Sequence, residues 1–74
     1  MNIAFIVPPN VELLDLAGPV QVFTEAKFIG YDIGIDFYSY TTAVTSTAGL
    51  EFGKIKHFKE ARLLPGDFVI IPGM

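Results

Sequence analysis

Ile3-Ala-Phe-Ile-Val7, closed by Pro8-Pro9-Asn10, is an unbroken run of β-branched and aromatic residues ended by turn formers. A strand with one wet face alternates apolar and polar side chains. This run does not alternate, so it reads as a strand buried on both faces, in the manner of a central strand of a parallel sheet. A parallel neighbour requires a crossover, and the following residues offer one. From Gly18-Pro19 to Ile29, with Gly30 behind it, proline stands just inside the start and glycine just past the end of a predicted helix. Leu16, Val20, Phe23 and Ala26 recur at helical spacing and give that helix an apolar side. Ile33, Ile35, Phe37, Tyr38 and Tyr40 form a second strand, which completes a βαβ unit of right-handed sense.

Further along, Val44-Thr45-Ser46 and Leu50-Glu51-Phe52 flank Thr47-Ala48-Gly49 and read as a short hairpin or strand extension, with Gly49 and Gly53 as punctuation. A brief helical turn is expected near Phe58 to Leu63. Pro65-Gly66-Asp67 then turns the chain into Phe68-Val-Ile-Ile71, another strand expected to be buried on both faces, which ends at Pro72-Gly73-Met74. Strands buried on both faces need helices on both sides of the sheet, and this chain supplies one good helix. The expected fold class is therefore α/β, with residues 1–74 as the N-terminal portion of a doubly wound, mostly parallel flavodoxin-like sheet.

Composition supports that reading. Of the 74 residues, 51% are hydrophobic and 18% charged, against about 25% charged in typical globular domains. Mean hydropathy is +0.49. Such a chain is too apolar for the small core that its length can bury. Either further elements of a larger fold cover the excess, or the chain oligomerises through an apolar face and would associate or aggregate if expressed alone. The longest apolar runs fall far short of the roughly 18 residues that a spanning helix needs, and no basic segment precedes the first strand. A cytoplasmic chain without membrane contact is expected.

The formal net charge is −3, unevenly placed. Lys54-Ile-Lys56-His57-Phe-Lys59-Glu-Ala-Arg62 gathers most of the bases, yet the isoelectric point is about 4.7, and the segment reads as a solvated turn or helix face rather than a nucleic-acid patch. There is no cysteine, hence no disulfide, no thiolate metal site and no thiol nucleophile. No phosphate-binding glycine pattern and no His/Asp/Glu set at metal spacing is present, so no cofactor is expected.

Several stretches together resemble the ThiJ/PfpI family, related to the class I glutamine amidotransferases. They are Ile3-Ala-Phe-Ile-Val7, Val11-Glu-Leu-Leu-Asp15-Leu-Ala-Gly18-Pro19-Val-Gln-Val-Phe23, Thr45-Ser46-Thr-Ala-Gly49-Leu50 and Asp67-Phe-Val-Ile-Ile-Pro72-Gly73. The core Leu-Asp-Leu-Ala-Gly-Pro-Val is the most specific of them. Within the family, the pattern is similar to the isonitrile hydratases and to the sensor-like N-terminal domains of AraC-type transcription regulators. The resemblance implies a nucleophilic cysteine and a histidine beyond Met74.

Asp15 is the first candidate site residue. A carboxylate flanked by Leu13, Leu14, Leu16 and Ala17 is either a cap for the helix expected from Gly18 or a group kept for chemistry, since burying it unpaired is costly. The resemblance implies the second role, an acid/base partner beside the nucleophile. Gly73 is the second candidate: after a strand, a Pro-Gly turn either simply reverses the chain or aims backbone amides at a developing oxyanion. The family shows two glycines there, and here the second position is Met74, whose amide could still donate. His57, Glu12 and Glu51 read as surface residues without convergent partners.

The resemblance implies a small-molecule-sensing domain of an AraC-type regulator. Its partners would be an unidentified small molecule, a second copy in a homodimer, and DNA only through a separate C-terminal domain. The alternatives are an isonitrile hydratase-like or amidase-like enzyme of the same fold and a short chain that only dimerises. With no cysteine, these 74 residues alone are expected to catalyse nothing.

Overall fold

The computed structural model describes residues 1–41 and 43–73. In chain order these form β1 (Asn2–Ile6), α1 (Leu13–Phe28), β2 (Gly34–Ser39), β3 (Val44–Thr45), β4 (Glu51–Phe52), β5 (Lys56–His57), a 3-10 turn (Phe58–Glu60) and β6 (Phe68–Ile70). β3 and β4 pair as an antiparallel hairpin, and the other four strands form one sheet in the order β5-β2-β1-β6. Every pairing in that sheet is parallel. The expected α/β class and the inner position of β1 both hold. The chain steps outward from β1 to β2 to β5, then returns to the far side of β1 as β6, so the strand order reverses between β1 and β6.

Register explains the core. Ile3 lies beside Ile35 and Phe68, and Phe5 beside Phe37 and Ile70, so these side chains share one face of the sheet. Helix α1 lays Leu16, Val20, Phe23 and Ala26 against it, the residues that helical spacing singled out. Phe5, wholly buried, stacks on Phe37 at 5.6 Å between ring centroids and meets Phe23 edge-on at 6.4 Å. On the opposite face Ala4 and Tyr38 are buried, while Val69 is half exposed. An ion pair there joins Lys56 Nζ on β5 to Asp36 Oδ1 on β2 at 3.1 Å and holds the lysine above its ordinary pKa. Both partners are exposed, so the pair contributes little to stability.

Four expectations need correction. Helix α1 begins at Leu13 rather than near Gly18, so Pro19 lies inside it. Pro19 cannot donate to the Asp15 carbonyl, a loss that normally breaks a helix. Here Gly18 has no Cβ to meet the proline ring, which removes much of the clash that bars helical geometry before proline, and Leu16 anchors the first turns in the core. Gly30 does end the helix, at φ +108°. Secondly, β6 is not buried on both faces: Phe68 is 58% and Ile71 70% exposed. Among the described residues it pairs only with β1 and forms a sheet edge, with Ile70 alone of its residues packed against the core. Thirdly, Lys56 and His57 form a parallel strand on β2, where a turn was expected. Fourthly, the helical turn is confined to Phe58–Glu60.

Asp67 fastens the start of the sheet to its last strand. Its Oδ1 accepts the Asn2 N–H and its Oδ2 the Leu64 N–H, each at 2.9 Å. These bonds, the Leu64 one foremost, hold the carboxyl below its ordinary 3.8. A group whose folded pKa is depressed stabilises the fold above the unfolded pKa and loses that contribution as pH falls through the folded value. The melting-temperature gap between wild type and Asp67→Asn should therefore be constant above pH 5 or so and shrink below 3.8. A gap that stays constant into strong acid would show that the carboxylate charge is not what matters.

Among the described residues, no helix is long and apolar enough to cross a membrane.

Candidate functional site

At the carboxyl ends of the parallel strands, three loops are stitched together by backbone hydrogen bonds. Asn10 N–H donates to the Thr45 carbonyl at 2.9 Å, Thr47 N–H to that of Val11 at 3.0 Å, and Glu12 N–H to that of Gly73 at 2.9 Å. The last bond joins the residue before α1 to the exit of β6. Val11, fully buried, pins the same junction from below. These contacts fix the first turn of α1 directly over the point where strand order reverses, between β1 and β6. In open α/β sheets, that crevice outside the carboxyl ends of the strands is where ligands bind.

Asp15 lies in that first turn, its side chain exposed, and so it is neither a buried charge nor the cap of a later helix. The residue at the N-cap position is Glu12, whose side chain makes no capping bond and instead accepts from Thr47 Oγ1 at 3.4 Å. An aspartate in the first turn suits the positive end of the helix dipole, which leaves its carboxylate free to face a ligand. It lies beside Gly73: a Cβ built there would lie 2.5 Å from Asp15 Oδ2. The carboxylate thus lies against the glycine backbone, where any larger residue would push it aside. The two candidates, far apart in sequence, meet in one place. Met74, whose amide entered the sequence reading, lies outside the described residues.

The remaining polar residues have local duties. His57 Nδ1 accepts the Lys59 N–H at 3.2 Å, while the His57 N–H donates to Glu60 Oε2 at 3.0 Å, a capping box that starts the 3-10 turn. The imidazole also stacks on Phe58 at 4.7 Å. Ser46, expected on a strand, sits just past β3, and its buried Oγ accepts the N–H groups of Ala48 and Leu50, each at 3.2 Å. Ser39 closes β2 with its Oγ buried. Ser39 stands opposite His57 in the β2–β5 register, but among the described residues its Oγ makes no hydrogen bond and the imidazole Nδ1 is taken by Lys59, so the two are not joined as a nucleophile and base would be. What this end of the sheet offers is the exposed carboxylate of Asp15, with that of Glu12 one turn before it bonded to Thr47, able to accept a hydrogen bond or exchange a proton with a ligand in the crevice.

The sequence matches no family model and no curated protein. Among solved structures, the chain is similar to the crystal structure of an AraC family transcriptional regulator from Pseudomonas putida, with a TM-score of 0.75 and 19% identity. The likeness covers 97% of this chain and 40% of that one. At that identity it establishes a shared fold, and the chain spans well under half the length of the protein it resembles.

Proposed function

We propose that residues 1–74 are the N-terminal portion of a ThiJ/PfpI-type sensing domain in an AraC-type transcription regulator, where the domain binds a small molecule. The observation that carries this reading is the meeting of Asp15 and Gly73 at the strand-order reversal of a fold shared with such a regulator. DNA is contacted by a separate C-terminal domain. A homodimer is part of the same proposal: among its polar residues the outer side of α1 also carries Leu14, Val22 and Phe28, all exposed, and clustered exposed apolar side chains of this size are what a partner surface covers.

A second reading, an isonitrile hydratase-like enzyme, is favoured by the exposure of the Asp15 carboxylate, which is free to serve as an acid/base group for a nucleophile supplied from outside these residues. One experiment separates the two. In the full-length protein, sequence-specific DNA binding that responds to compounds from a small-molecule library supports the regulator, with the response lost in Asp15→Ala. Turnover of isonitriles without DNA binding would replace it with the enzyme.

A further inference from the structure

Beneath the first half of α1, at the carboxyl end of the sheet, lies a cavity of about 220 Å³. Val7, Leu16, Val20, Phe37, Phe52 and Ile55 line it, and the exposed Ala17 and Gly53 complete the wall where it opens to solvent. Asp15 takes no part in the lining. Every lining residue is apolar, so a charged or strongly polar guest would lose its hydration without finding a partner. Size narrows the choice further. A cavity of about 150 Å³ lined by similar side chains stays dry and admits benzene, and pockets for drug-sized ligands begin near 300 Å³. The space between those limits fits a single ring with a few added atoms, or a compact branched hydrocarbon group. Phe37 and Phe52 supply aromatic walls for such a ring.

This space is enclosed by α1 as the roof, by Phe37 of β2 and Val7 just past β1 as the floor, and by the Phe52–Ile55 loop at the side. The two smallest lining residues, Ala17 and Gly53, leave it open. A Cβ on Gly53 would meet nothing within 4 Å, and its φ is not in the left-handed region. A larger residue could therefore stand there, at the edge of the opening, without strain. We infer that this cavity is a binding site for a small neutral apolar molecule, or for the apolar body of a larger one. As the seat of a sensed ligand it deepens the sensing proposal, while binding itself does not depend on that proposal.

Toluene is a suitable probe. In methyl-labelled full-length protein, toluene titration should produce saturable shifts at the methyl groups of Val7, Leu16, Val20 and Ile55. Gly53→Leu, which plugs the loop side, and Ala17→Leu, which plugs the helix side with a good helix former, should each abolish those shifts while the remaining methyl spectrum stays that of a folded protein. Either plug suffices if the other fails to fold. Absence of saturable shifts in the wild type, or shifts that persist in a folded plug variant, would overturn the site. Toluene binding in a protein that never responds to small molecules on DNA would leave the cavity standing and sink the regulator.

Discussion

Phe5→Ala should remove a large share of the stability of the fold. Phe5 is wholly buried on the central strand, stacked on Phe37 of β2 and edge-on to Phe23 of α1, so it joins both strands of the βαβ unit to its helix. Truncating such a ring costs about 3–5 kcal/mol through lost burial and the cavity left behind, and whole domains are stable by only about 5–15 kcal/mol. Urea denaturation followed by circular dichroism should show the midpoint fall sharply. Phe28→Ala is the control: that ring is 76% exposed, and its loss should change stability by about 0.5 kcal/mol or less. A Phe5→Ala protein as stable as the control would mean that α1 does not pack on the sheet through this ring.

Asp15→Asn and Gly73→Ala should both leave the fold intact and remove function. Asparagine keeps the size of Asp15 and forfeits only the favourable charge at a helix N-terminus, about 0.3–1 kcal/mol. At Gly73 the added methyl must displace Asp15 Oδ2, 2.5 Å from its position, and because that oxygen is the exposed tip of a flexible side chain, the backbone need not move. Both changes act on one carboxylate, the first on its charge and the second on its place. In the full-length protein, ligand response or turnover should drop by roughly 10²-fold or more in each, the scale set by loss of a positioned acid/base group. Melting curves beside the functional assay separate this from unfolding. Wild-type function in both folded variants would dismiss this end of the sheet as a site.

What could be read from the sequence was set by pattern. The unbroken run Ile3 to Val7 announced an inner strand because no polar residue interrupts it, and the spacing of Leu16, Val20, Phe23 and Ala26 identified the buried side of α1. The start of α1 was misread because proline ordinarily marks a helix beginning, whereas here Gly18 relieves the steric conflict that gives the rule its force. Strand β5 is two residues long, too short for any periodicity to show, and its Lys56 suits a sheet edge. The exposure of β6 follows from where the strand sits in the sheet, which its own apolar residues do not encode. Asp15 and Gly73 were each visible singly, but their contact depends on the Glu12–Gly73 backbone bond. The cavity left no sequence signal, since the residues around a void read the same as residues that fill a core.

The pairing of β1 with β6 also has a consequence for biosynthesis. Asn2 at the head of β1 bonds to Asp67 across 65 positions of sequence, and Ile3 meets Phe68. Of the described strands, the one synthesised earliest is thus among the last to be completed. At elongation rates of about 5–20 residues per second, Ile3 to Val7 must wait roughly 3–13 seconds for its second neighbour. Throughout that interval a short, uncharged, β-prone segment has one side unpaired, the kind of segment that recruits other chains. Parallel pairings between distant segments are also intrinsically slow to form. Faster translation, or a chaperone bound to β1 during synthesis, should therefore raise the yield of folded protein without any change in the stability of the finished fold.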